Sequence, residues 1–209
     1  MPRVKQLAVL GAAALAAATV AGPAHAAGTG IHKVSDGTLY SGNVRASLTG
    51  NLVVNGGGTT TCTSAALNGN VDSDGDPLNI TSASVGGCSG VASSITFNTP
   101  WAGTVTYDSS HLNGRDAVIS LTGFSVQATV HIPIFNVNVN CIYGGNVSAN
   151  GFNGSGGGDA TVNMAGIVIN KTGGNILCPG SATINQGVFQ LRGESSPGTF
   201  DVALYVASS

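Results

Sequence analysis

Apolar residues recur at every second position along this chain, and beyond Ala27 no segment sustains the period of 3.6 that an amphipathic helix requires. Side chains of a strand alternate between two faces, so period 2 commits the chain to β structure with one face buried. The C-terminus is the cleanest case: Phe200, Val202, Leu204 and Val206 share one parity, and Asp201, Ala203 and Tyr205 take the other. Val44, Ala46 and Leu48 alternate with Arg45, Ser47 and Thr49 in the same way.

Longer runs change parity at a glycine or a proline, as a strand does at a bulge or a bend. Ile119 and Leu121 share a face, and after Gly123 the apolar set becomes Phe124, Val126, Ala128, Val130 and Ile132. A further bend is expected at Pro133, beyond which Phe135, Val137, Val139 and Cys141 are apolar while Asn136, Asn138 and Asn140 face solvent. Gly166 separates Val162 and Met164 from Ile167 and Ile169, and Gly187 separates Ile184 from Phe189 and Leu191. Turn-forming clusters at 55–58, 68–69, 73–77, 113–114, 153–158 and 195–198 divide the chain into about ten short strands. The expected fold is all-β, an antiparallel β-sandwich or barrel.

The first 26 residues carry the parts of an export signal: Arg3 and Lys5, an apolar run from Leu7 to Ala21, and the small-residue exit Gly22-Pro23-Ala24-His25-Ala26. Cleavage is expected after Ala26, and the run is shorter than the ~20 residues that cross a bilayer, so no membrane span is expected after processing. The expected location is therefore secreted, extracellular or cell-wall associated. Residues 27–209 have the length of a single domain, within which two similar halves, about 40–130 and 131–209, are conceivable. The halves are suggested by an echo: Cys62 precedes Gly69-Asn70-Val71 as Cys141 precedes Gly145-Asn146-Val147. Four cysteines in an exported chain read as two disulfides. Three pairings are possible, and Cys62–Cys88 with Cys141–Cys178 is favoured because each pair brackets one echoing unit. A zinc site lacks both a C-x-x-C pair and a histidine at ligand spacing.

Only 8 % of the chain is charged, against ~25 % in an ordinary domain. Beyond the leader, Lys33, Arg45, Arg115, Lys171 and Arg192 face nine carboxylates, a formal charge of −4. No basic cluster exists to meet nucleic acid phosphates. A neutral polar surface offers little repulsion between β edges, so self-association and contacts with cell-surface or matrix components are the expected partnerships.

Few residues invite a chemical role. Asn70, Asp72, Asp74 and Asp76 place oxygen ligands at alternate positions, a weak Ca²⁺ candidate that lacks the closing bidentate Glu, since Thr81 stands there. No other cofactor is expected. Asp108-Ser109-Ser110-His111 holds the residue types of a catalytic triad, but neighbours in one loop seldom reach its geometry, and no G-x-S-x-G elbow is present. His131 reads as a strand-end residue, His32 belongs to a poorly defined N-terminal segment, and no facing carboxylate pair suits glycoside hydrolysis. Trp101, the only tryptophan, reads as a core plug or as a candidate surface or ligand contact.

The segments Thr61-Cys62-Thr63, Ile80 to Cys88, Thr99-Pro100-Trp101 and Cys141-Ile142-Tyr143 resemble small exported actinobacterial disulfide-bonded β proteins of unknown function. More distantly they are similar to exported proteobacterial proteins labelled activators of alkane oxidation. The likeness covers mainly residues 60–143 and implies an extracellular, disulfide-bonded β domain, with no catalytic residues to carry over. Asn136 to Cys141 also resembles the Asn/Val-rich surface-active coat proteins of filamentous actinomycetes.

The functional expectation is a non-enzymatic exported protein of the cell surface or extracellular matrix, acting through association or adhesion. The alternative is a soluble extracellular binding module for a small apolar ligand or a glycan. A sizeable apolar cavity favours the second.

Overall fold

A computed structural model describes residues 28–209; the export signal and the cleavage point after Ala26 lie outside the described residues. The parity pattern becomes sixteen strands. The first eight are β1 (Thr29–Lys33), β2 (Gly42–Leu48), β3 (Leu52–Asn55), β4 (Thr59–Cys62), β5 (Ser64–Val71), β6 (Leu78–Gly86), β7 (Ser89–Gly90) and β8 (Ala92–Phe97). The rest are β9 (Trp101–Tyr107), β10 (Ala117–Ile132), β11 (Val137–Phe152), β12 (Ala160–Asn163), β13 (Val168–Gly174), β14 (Ser181–Gln186), β15 (Val188–Ser196) and β16 (Thr199–Ser208). The number exceeds the expected ten because long runs break at their bends: β2 continues into β3, β4 into β5, β8 into β9, β12 into β13 and β14 into β15.

Antiparallel pairing closes this sheet on itself. Strands β2, β5, β6, β9, β10, β11, β12 and β15 form one circuit, with β15 returning to β2. A second circuit, sharing β10 and β11, runs from β8 through β10, β11, β13, β14, β3 and β4 to β7. Val91 alone separates β7 from β8; its N–H donates to the Thr59 carbonyl at 3.2 Å, and its carbonyl accepts from the His131 N–H at 2.8 Å, which closes the second ring. The protein is thus an antiparallel β-barrel in two storeys, both threaded by the β10–β11 hairpin. Residues on either side of position 130 share its seams. Strand β16 leaves the rings, pairs with β15 and β1, and buries Ile31, Leu204 and Val206 at the lower end.

Glycines set the passage between storeys. The β10–β11 register jumps between Leu121 and Phe124, where Gly123 takes a φ of 69° that other residues rarely adopt. The jump keeps Ala117 and Leu121 below, and Phe124, Val126, Ala128 and Val130 above, all facing inward. Gly103 of β9 lies so close to β10 that an added Cβ would stand 2.3 Å from the Ser120 carbonyl oxygen and 2.7 Å from Leu121 Cδ2. Gly103→Ala is therefore expected to cost about 1–3 kcal/mol through forced backbone movement, read as a lower urea midpoint at unchanged m-value.

Pro133 does not bend a continuing strand. Residues 133–136 form the tip of the β10–β11 hairpin, with the Phe135 and Asn136 amides donating back to Ile132 and Pro133, and Asn136 at a φ of 51°. Proline brings no amide to a ladder and asparagine tolerates the left-handed region, so the pair ends one strand and begins the next. The asparagine row does face outward, but it is tied across the hairpin: Thr129 donates to Asn140 Oδ1 at 2.9 Å, and Asn138 Oδ1 meets His131 Nδ1 at 3.1 Å.

Both favoured disulfides form, Cys62–Cys88 and Cys141–Cys178, and both staple the upper storey.

Candidate ligand-binding interior

Inward positions of the barrel are apolar and outward ones polar, the reverse of a membrane-spanning barrel. On β10 and β11 the outer face carries Gln127, Thr129, Asn138, Asn140, Ser148 and Asn150. Among the described residues no helix is long and apolar enough to cross a membrane.

Two hollows remain inside. The upper, about 120 Å³, is walled by Phe97, Trp101, Phe124, Val126, Tyr143 and Ile169 among others. The lower, about 90 Å³, lies among Val44, Val71, Leu78, Val105, Val147 and Leu204. Leu67, Leu121, Met164 and Phe189 border both, forming the partition between storeys. Among the described residues no charged side chain lines either one. An interior of this kind attracts molecules by removing apolar area from water, and it rejects ions, which find no partner there.

Trp101 belongs to this interior. At 1 % exposure it offers nothing to the outer surface, which removes the surface-platform reading and places the ring as a plug in the core. Its indole N–H donates to the Asn98 carbonyl at 2.8 Å, which fixes the ring; Phe124 lies against it at 4.6 Å between centroids, and Phe97 meets it edge-on at 5.8 Å.

Tyr143 is the residue that sequence reasoning missed as a site. It shares the inward face of β11 with Val139 and Cys141 and is 4 % exposed, yet its hydroxyl has no hydrogen-bond partner among the described residues. Burial pushes its pKa above the usual phenol value, so the group is a neutral O–H donor at physiological pH. Parity with Cys141 was a visible signal for its direction; the missing partner was not.

Three residues of the acidic hairpin are each bonded separately. Strand β5 runs on to Val71, so Asn70 sits in the ladder opposite Asn79, whose amide donates to it at 3.2 Å. Asp72 accepts from Ser41 at 3.1 Å, and Asp74 accepts from the Asp76 N–H at 3.2 Å. Among the described residues no group of three His, Cys, Asp or Glu is placed to share an ion.

The Asp108 to His111 loop is likewise occupied with itself. His111 Nδ1 lies 3.2 Å from Asp116 Oδ1 and its Nε2 3.3 Å from the Tyr107 hydroxyl, so no serine completes a triad. Asp108 accepts from Ser110 and Arg115, and these bonds hold its carboxyl well below the usual range. His131 spends Nδ1 on Asn138. His32 stacks on Tyr205 with centroids 5.1 Å apart, and its Nδ1 meets the Gly37 carbonyl at 2.9 Å.

Two features mark the outside. A groove of about 740 Å³ lies between Lys33, Asp36, Tyr40, Glu194 and Asp201. Two of its carboxylates are already engaged, Asp36 by Thr38 and Glu194 by Asn43 and the Gly198 N–H, and both are held below the usual carboxyl pKa. At the upper end, Ile134 and Ile176 stand 88 % and 91 % exposed beside the exposed Phe135, Val137 and Leu177. The Asn175 amide, donating to the Asn140 carbonyl at 3.0 Å, and the Cys141–Cys178 bridge hold the loop of Ile176 and Leu177 against β11.

Comparison of the chain with protein-family models, with curated proteins and with solved structures returns no match.

Proposed function

We propose that this protein is an extracellular binding module that encloses a small, uncharged, largely apolar molecule in the upper storey of its barrel. One observation carries the reading: a closed barrel whose uncharged lumen, walled by Trp101, Phe124 and Tyr143, keeps a cavity of about 120 Å³. Small closed barrels either fill with side chains or hold one small ligand. A dry apolar cavity of roughly 150 Å³ accepts benzene or xenon, so the occupant has about six to eight non-hydrogen atoms. Export and two disulfides suit a body that keeps its shape outside the cell.

The test is a titration with toluene, xenon and a soluble oligosaccharide. Toluene is expected to change Trp101 emission and to raise the thermal midpoint, by an amount equivalent to about 2.7 kcal/mol at a hundredfold excess over Kd. The oligosaccharide is expected to do neither. Silence towards both toluene and xenon would overturn the proposal.

A second reading, association with the cell surface or matrix, draws on the exposed apolar side chains Ile134, Phe135 and Ile176. It differs from the first in its test: Ile134→Ser with Ile176→Ser should release the protein from an insoluble fraction while leaving toluene binding intact.

A further inference from the structure

We infer that the molecule taken into the upper cavity carries one hydrogen-bond acceptor on an otherwise hydrocarbon body, and that the Tyr143 hydroxyl donates to it; ketones, aldehydes and esters form the class. This rests on the barrel being a ligand-binding module. It adds the polar atom that such a ligand must present.

The other polar groups of the upper wall are either accounted for or face away. Thr60 Oγ1 accepts from the Ala92 N–H at 3.0 Å, and the Trp101 N–H is spent on Asn98. Ser84 is exposed. Two buried side-chain polar atoms lack a partner among the described residues, Tyr143 Oη and His32 Nε2, and only Tyr143 lines this cavity. An unpartnered buried hydroxyl loses its hydration with no return, whereas phenylalanine would fill the same place without that loss. A bound acceptor turns the deficit into a bond formed only in the complex.

Water is a poor occupant, because a buried water needs two to four polar partners, and among the described residues the Tyr143 hydroxyl is the one side-chain group buried in this wall that has no partner. Carboxylates and phosphates are excluded, since no cation lines the cavity to meet them. The raised phenol pKa keeps the donor protonated across neutral pH.

Matched probes test the inference: cyclohexanone and methylcyclohexane, of like size, titrated against the mature protein and against Tyr143→Phe. The expected result is that Tyr143→Phe weakens cyclohexanone about tenfold and leaves methylcyclohexane within twofold. Comparing each probe between the two proteins cancels its own hydration. Infrared spectroscopy of the wild-type complex gives an independent reading, with the carbonyl band of bound cyclohexanone shifted to lower frequency and the shift lost in Tyr143→Phe. Equal cyclohexanone affinity in the two proteins, or an unshifted carbonyl band, would overturn the role of Tyr143 while methylcyclohexane binding upheld the module. Failure of both probes in the wild type would overturn the module and the inference together.

Discussion

Trp101→Ala is expected to destabilise the barrel by about 3–5 kcal/mol, the range for removing a fully buried tryptophan from a core that relaxes only in part. The side chain is 1 % exposed, plugs the wall between Phe97 and Phe124, and closes the hydrogen bond to Asn98 that anchors the start of β9. Trp101→Phe separates the contributions. It keeps an aromatic ring and loses the N–H donor with part of the volume, for an expected cost of about 1–2 kcal/mol. Urea unfolding followed by far-UV circular dichroism measures both, since each variant removes the fluorophore. The alanine variant also enlarges the upper cavity, so saturating toluene should restore part of its lost stability. Loss of less than about 1 kcal/mol in Trp101→Ala would mean that the upper storey is not packed around this ring.

Each disulfide closes a long loop, with separations of 26 residues for Cys62–Cys88 and 37 for Cys141–Cys178. On loop-entropy grounds, replacing either pair by alanine should cost about 3–4 kcal/mol, most of it by freeing the unfolded chain. The bridges differ in access. Cys141 and Cys178 are both buried, whereas Cys88 is half-buried on the turn between β6 and β7. A mild reductant under native conditions should therefore open Cys62–Cys88 first, with Cys141–Cys178 surviving until the barrel unfolds. Alkylation and mass analysis of partly reduced protein checks the order. Simultaneous loss of both bridges would show that the upper storey opens as one unit.

What could be read in advance was local. The parity change at Gly123 exposed the bulge because four inward residues follow it in strict alternation. The disulfide pairing was legible because each bridge joins the ends of one recurring unit. Pro133 misled because proline serves equally at a bend and at a turn, and only the register of His131 with Asn138 shows which. Asn70, the first position of the calcium pattern, stands not in a loop but in a ladder that extends through Val71, which its sequence neighbours do not announce. Closure itself had no local signal. Whether β2 meets β15 depends on how far eight strands curl, and that accumulates over the whole sheet. For the same reason alternation announced an apolar interior and could not announce a hollow one, nor that the Tyr143 hydroxyl would be left alone there.

The seams of this barrel are unequal in time. Most join strands that are neighbours along the chain, but β2–β15 and β3–β14 pair Arg45 with Arg192 and Val54 with Ile184. A nascent chain can lay down its meander from β4 onward as it emerges, while the free edges of β2 and β3 wait for the last quarter of the protein. Bringing such distant segments together carries the largest loop-closure cost within the rings, so sealing these seams sets the pace of folding. Until then the half-built sheet presents an open, nearly uncharged edge, and truncation before β14 leaves it permanently unsealed.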